Sequence, residues 1–367
     1  MKRGRAVIGA NFGDEGKGLL VDYLCAVQGA GVVVRFNGGA QAGHTVVTPE
    51  PMRHVFSHFG SGSLLGVPTY LSSFFILNPL LFARELENLH AIEVFPTVYA
   101  HPACLVTTFA DMIINQRKED TRGTKRHGSC GIGVNETVNR SQITELKITM
   151  ADLWNRVSIK DRLAAICDRY ARFRTGAPIA DSEKMIEAFA RGADRFAEIV
   201  KPLGIEQCPD PVFEGAQGLL LDQGNKTFYP HVTRSNTGAK NVRALAAQAG
   251  IEKLDLYYVS RTYLTRHGAG PLPGEDPVLK YADDTNVDHA YQGSLRFAPL
   301  DVESLWQRCH DDAGGDYRLV LTHCDQIEPP CSARLYAYGP TRKDVRESPR
   351  SALNPEAAWP FPKKRSS

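Results

Sequence analysis

Two short turns hold the residues best suited to chemistry. Gly13-Asp14-Glu15-Gly16-Lys17-Gly18 sets two carboxylates and an ammonium among three glycines, and NGGAQAGHT carries a second glycine turn, 38–43, that ends on His44. A glycine turn entering a helix gathers backbone N–H groups where no side chain blocks a phosphate. Lys17 supplies a positive charge, Asp14 a base or an oxygen ligand for magnesium, and His44 an acid or hydrogen-bond donor. The first turn is not a Walker A loop: Asn11 stands where that motif has its first glycine, and Gly18 where it has Ser or Thr. The magnesium ligand that this hydroxyl would supply must come from elsewhere, and Asp14 is the candidate. Alone, GDEGKG reads equally as an exposed helix start whose acids suit the helix dipole. Alone, a histidine in AGHT is more often a satisfied turn residue.

The elements around these turns alternate. AVIGANF and GVVVRF read as buried strands, GLLVDYLCAV as the helix between them, NPLLFARELENLHAI as a helix, and EVFPTVYA, PVFEGAQG, LDLYYVS and RLVLT as further strands. Such alternation predicts an α/β fold with a mainly parallel central sheet flanked by helices. Glycine turns recur at expected strand ends: 13–18, 38–43, 128–133, 215–218 and 268–270. Residues 116–126, QRKEDTRGTKR, are polar and charged and are expected to form an exposed mobile loop. About 150–201 reads as a mainly helical insertion, with Leu163, Ile166, Tyr170, Met185, Phe189, Phe196 and Val200 at helical spacing. Residues 1–342 are expected to form one domain, and 343–367, rich in Pro, Ser and charge, a loosely packed tail.

Composition excludes several classes. The 367 residues carry a net charge of +2, which gives no whole-chain case for nucleic-acid binding. No apolar run is long enough to predict a membrane span, and the N-terminus lacks the apolar segment of a secretory signal. The eight cysteines are scattered without a CxxC pair, which points to a reducing cytosol rather than a disulfide framework. A cytoplasmic location is expected.

GDEGKG, NGGAQAGHT, GSCGIG, FEGAQGLLLD, YPHVTRSNT, TRHGAGP, a strand ending in LTHCD, and YGPTR occur in that order. Together they resemble the adenylosuccinate synthetase family, from the first strand to about Arg342. The resemblance implies a fold related to the P-loop NTPases and a Mg2+-dependent ligase. A 6-oxopurine nucleotide is phosphorylated on its ring oxygen by a nucleoside triphosphate, and the amine of L-aspartate then displaces phosphate. It implies Asp14 as base and metal ligand, His44 as acid or donor to the transferring phosphoryl, Lys17 as its clamp, and the Gly43 carbonyl as a second metal contact. For the purine nucleotide it implies Asp14, Gln41, Ser129, Gln217 and Thr233, with Arg140 crossing a homodimer interface to the partner's phosphate. For the triphosphate donor it implies Gly13, Glu15, Gly16, Lys17, Gly18, Gly43, His44, Thr45, Asp325, Gly339 and Pro340, and for aspartate Gly293, Ser294 and Arg296.

Four departures bear on substrate. The arginine-rich aspartate loop is reduced to YQGSLRFAPLD with Arg296 alone. The donor-base motif reads Thr322-His323-Cys324-Asp325 without its lysine. The connection between LTHCD and YGPTR is short. Phe12 replaces the tryptophan before GDEGKG. This pattern resembles the phage branch of the family, which implies dGMP ahead of IMP as acceptor and ATP or dATP ahead of GTP as donor. The alternatives are a conventional GTP-dependent, IMP-specific synthetase and, from another class, a non-catalytic nucleotide-binding homologue. The intact Asp14 and His44 disfavour the last.

Overall fold

The structure is a computed structural model. It describes residues 2–155, 158–172, 177–283, 285–286 and 293–348. Ten strands form the central sheet, in the order Val345–Glu347, Leu335–Ala337, Arg318–Thr322, Lys253–Arg261, Arg3–Gly9, Pro211–Gly218, Val32–Arg35, Thr69–Leu71, Val98–Ala100 and Lys201–Pro202. Every neighbouring pair is parallel except the last-formed edge, where Leu335–Ala337 pairs antiparallel with Val345–Glu347.

Alternation along the first strand explains its central place. Ala6 and Ile8 pack on one face with Val34, Phe213, Tyr258 and Leu321. Val7 packs on the other with Val33, Val212, Val259 and the helix residues Leu20, Val21 and Leu24. A strand covered on both faces needs apolar residues on both, as Ala6 to Ile8 supply here. Its end, Gly9, runs into the first glycine turn, so the turn hangs from a central, buried strand end.

A third apolar cluster lies beyond the Thr69–Leu71 side of the sheet, where Phe82, Leu86, Leu163, Ile166, Phe189 and Phe196 pack together. Helices Met150–Trp154, Ile159–Ala171 and Ser182–Ile199 supply much of it. Their buried residues include Leu163, Ile166, Tyr170, Phe189 and Phe196, as the spacing predicts.

Three expectations are corrected. Residues 116–122 are not a loop but the second half of the helix Phe109–Arg122. Thr108 and Asp111 close a capping box at its start. Its charges then find partners on neighbouring segments: Arg117 donates to the carbonyls of Ala177 and Pro178, Lys118 pairs with Glu136, and the Glu119 carboxylate accepts from Gly128 N. The 128–133 turn therefore follows a helix, not a strand. Residues 345–347, placed in the tail, instead add the antiparallel edge strand; residues 349–367 lie outside the described residues.

Arg140 is the residue expected to cross a homodimer interface. It is drawn into its own chain and does not project outward: Nε and Nη2 meet the Asp111 carboxylate at 3.0 Å, while Nη1 and Nη2 donate to the carbonyls of Leu146 (2.5 Å) and Val106 (2.7 Å). Tyr170 donates to the same carboxylate at 2.6 Å. The guanidinium is held on three sides at 3% exposure. Arg140→Leu strands the Asp111 carboxylate in the core. The expected result is a loss of about 3 kcal/mol or more, read as a lower urea midpoint, whereas an unchanged midpoint would contradict the buried pairing.

Candidate active site

The first turn is left-handed at Gly13, Asp14 and Gly16, with φ of 98°, 58° and 88°. Consecutive residues of this kind curl the main chain into a nest of N–H groups that suits an anion. Glu15 braces it from within. Its Oε1 accepts from Asn11 N at 2.5 Å and Gly13 N at 3.3 Å, and its Oε2 faces the Lys17 ammonium at 3.2 Å. Both side chains are buried, so this pair belongs to the turn's own structure. Asp14 by contrast is half-buried, and two side chains hold the carbonyls beside it: Arg261 Nε donates to Asp14 O at 2.5 Å and Thr322 Oγ1 to Glu15 O at 2.9 Å.

The two glycine turns touch. His44 opens the strand His44–Val47, which pairs with Arg53–Phe56. A methyl group at Gly18 would stand 2.7 Å from the Thr45 carbonyl oxygen and 3.2 Å from the His44 Cβ. Only glycine lets the helix start pack this closely. The absence of Ser or Thr after Lys17 thus has a steric cause.

The neighbouring strand Pro211–Gly218 supplies what sequence reading missed. His44 Nδ1 lies 2.7 Å from Glu214 Oε1, with both side chains buried. Ser61 N donates to Glu214 Oε2 at 3.0 Å, and the Ser61 hydroxyl donates to Oε1. Burial alone would raise the Glu214 carboxyl; the imidazole, the Arg35 charge and the Ser61 bond hold it at about 2. Burial lowers His44, against the pull of Glu214. The neutral imidazole therefore donates Nδ1–H to Glu214 and presents Nε2 on its other side. Among the described residues that Nε2 is buried without a partner, and so is Thr45 Oγ1. Glu214 was visible as the acid of FEGAQG, but nothing local marks its pairing with a residue 170 positions away.

The other expected residues divide into two groups. Gln41 Nε2 donates to Gln217 Oε1 at 3.4 Å, so these two amides meet. Gln217 holds a left-handed φ of 57°, and a methyl group at Gly13 would lie 3.4 Å from its Cα. Thr233 is half-buried and tied by its N–H to the Leu221 carbonyl. Ser129 Oγ donates to Asn115 Oδ1 at 3.0 Å and accepts from Gly131 N at 3.3 Å, on the turn after the Phe109–Arg122 helix.

Arg296 is engaged within its own chain. Its guanidinium takes Glu275 at 2.7 Å and the carbonyls of Gly268 and Gly270 at 2.8 Å. Gly293 accepts from His267 Nε2 at 2.8 Å, and residues 287–292 of that loop lie outside the described residues. Asp325 is exposed after the Arg318–Thr322 strand. His323, two residues earlier, is half-buried with Nδ1 2.9 Å from Thr322 Oγ1, and desolvation followed by the Arg261 charge lowers it to about 3, so its imidazole is neutral. Gly339 and Pro340 precede a short turn capped by Thr341 and Asp344.

Magnesium takes hard oxygen donors. Asp14 offers a half-buried carboxylate from one turn, and Gly43, exposed on the other, a main-chain carbonyl. The contact at Gly18 brings these turns together, so the donor chemistry fits such an ion.

The adenylosuccinate synthetase family profile matches residues 6–292. The chain belongs to this family. It is 32% identical to the adenylosuccinate synthetase of Alkalilimnicola ehrlichii over 75% of this chain and 65% of that protein, and 31% identical to that of Pseudomonas fluorescens over 75% and 66%. It spans about two thirds of the length of these relatives. Among solved structures, fully ligated adenylosuccinate synthetase from Plasmodium falciparum superposes with a TM-score of 0.76 at 18% identity, covering 94% of this chain and 99% of that one. The succinoaminodeoxyadenylate synthetase of cyanophage S-2L, bound to dGMP and dATP, gives 0.59 at 17% identity, over 96% and 97%. At these identities the two structures speak for the fold.

The Glu214 anion has a pH signature. Its folded value of about 2 lies below the ordinary 4.5. Its stabilisation is present above the ordinary value and is lost as pH falls through the interval down to the folded one. The stability gap between wild type and Glu214→Gln should be flat near neutrality and should narrow across that interval in urea titrations. A gap independent of pH would contradict an ionised Glu214.

Proposed function

We propose that the protein joins L-aspartate to C6 of a 6-oxopurine nucleotide, with dGMP as the acceptor and ATP or dATP as the donor. The observation that carries the ligase reading is His44: its Nδ1 is fixed by Glu214, and its buried Nε2, near the phosphate-nest turn, has no partner among the described residues. An orphaned buried nitrogen is costly unless a ligand satisfies it.

In this reading Asp14 accepts the N1 proton of the purine. The O6 oxygen then attacks the γ-phosphorus as the bond to the β-phosphate oxygen breaks, and the nucleoside diphosphate leaves. Protonated on binding the anionic triphosphate, His44 donates through Nε2 to the transferring phosphoryl, and Glu214 stabilises the imidazolium. The turn's N–H groups hold the phosphates. Magnesium, held by the Asp14 carboxylate and the Gly43 carbonyl, would supply charge neutralisation between the phosphates. In the second step the aspartate amine attacks C6 and phosphate departs with O6. Gln41 and Gln217 are assigned to the purine edge, and Ser129 and Thr233 to its 5′-phosphate.

The choice of dGMP and an adenine donor rests on the altered later loops. His323 is neutral where a lysine is expected, and the arginine-rich loop is reduced. The cyanophage neighbour that carries dGMP and dATP has the same fold. A second reading, IMP with GTP, is favoured by the relatives at 31–32% identity, which are named adenylosuccinate synthetases. Phosphate release with dGMP and IMP, each paired with ATP and GTP in the presence of L-aspartate and Mg2+, separates them. The expected result is turnover of dGMP with ATP; turnover of IMP alone overturns the acceptor assignment. Asp14→Asn should lower turnover by at least about a hundredfold while nucleotide binding, followed by calorimetry, persists. Turnover close to wild type in that variant would remove Asp14 as the base.

A further inference from the structure

Arg261 ends the strand beside the first one and is 3% exposed. Its guanidinium is divided three ways. Nε donates to the Asp14 carbonyl at 2.5 Å, Nη1 to the Tyr263 hydroxyl at 3.2 Å, and Nη2 to Asp283 Oδ2 at 2.7 Å. Asp14 holds a φ of 58°, a conformation that costs a non-glycine residue about 1 kcal/mol and persists only when its surroundings enforce it. The Nε bond is such a constraint. A peptide is planar and trans, so fixing the Asp14 carbonyl also turns the Glu15 N–H to the opposite side. Thr322 does the same for the next peptide through the Glu15 carbonyl.

The other two arms reach a different part of the chain. Asp283 is folded around its own loop, accepting from Thr285 N at 2.9 Å and Asn286 N at 2.8 Å. Tyr281 stacks on Tyr263 with ring centroids 4.1 Å apart. Tyr263 donates to Gln326 Oε1 at 2.7 Å, and Gln326 Nε2 donates to the Ala282 carbonyl at 3.0 Å. Arg261 is therefore the point where the phosphate-nest turn, the Tyr281–Asp283 segment and the 323–326 turn meet.

We propose that Arg261 is a positioning residue for Asp14, acting on its main-chain carbonyl and tying that geometry to the docked Tyr281–Asp283 segment. The proposal rests on the reading of Asp14 as the base. A lysine keeps the charge but has no planar fork to serve three acceptors at fixed angles. Loss of the guanidinium should therefore impair the step that depends on Asp14 more than the binding of either nucleotide.

The test uses the full chain with Arg261→Met, Arg261→Lys and the double variant Arg261→Met/Asp283→Asn, which leaves no stranded carboxylate if the single change does not fold. With whichever of dGMP or IMP the wild type turns over, kcat in the methionine variants should fall by about tenfold to a hundredfold. KM for the acceptor should stay within about threefold, ethylguanidinium should restore part of the rate, and the lysine variant should lie between. A folded methionine variant with kcat within about threefold of wild type, or a loss that ethylguanidinium does not relieve, overturns the proposal. A crystal structure of the double variant reads the clamp without turnover. Asp14 leaving its left-handed conformation supports it, and Asp14 unchanged overturns it. If the wild type turns over neither nucleotide, the ligase reading fails by itself and this structure still decides the clamp.

Discussion

A carboxylate sealed from water must find its donors in the chain around it, and Glu214 is the group that sets this condition here. Its oxygens take Ser61 twice and His44 once. His44 and Ser61 lie 170 and 153 positions away from Glu214 in sequence. Once the anion is buried, the imidazole has one orientation and one tautomer, and the nitrogen facing away from Glu214 is committed to whatever enters the site. The close approach of Gly18 to Thr45 and His44 then fixes the distance between that nitrogen and the phosphate nest. The apolar sheet matters to chemistry because it holds these strand ends in register.

Much of this was legible in the sequence. Val7, Val33 and Val212 pack on one face of the sheet while Ala6, Ile8, Val34 and Phe213 pack on the other, and runs of that kind have a strong local signature. The glycines of both turns announce themselves because their conformations are difficult for other residues. The pairing of Gln41 with Gln217 follows from two motifs that meet at adjacent strand ends.

What stayed hidden depends on long-range pairing of charge. The helix Phe109–Arg122 looked like a loop because its second half is polar. Its charges are satisfied by Ala177, Pro178, Glu136 and Gly128, none of which a local pattern can foresee. Arg140 and Arg296 suggested ligands because arginine suits phosphate and carboxylate. Their donors are instead taken up by Asp111 and Glu275 and by main-chain carbonyls. Residue type states what a side chain can bind, and only the fold states whether that capacity is already used.

The sheet also determines how the molecule meets its own copies. At ten strands it is wide enough for an open edge to recruit another chain. The edge beyond Val98–Ala100 is the two-residue strand Lys201–Pro202, fully exposed and paired parallel. Proline has no N–H to offer a newcomer, and the lysine charge penalises an apolar approach. Aggregation by strand addition is therefore blocked at this margin by two residues. Replacing Pro202 with a β-branched residue would reopen it without touching the two glycine turns.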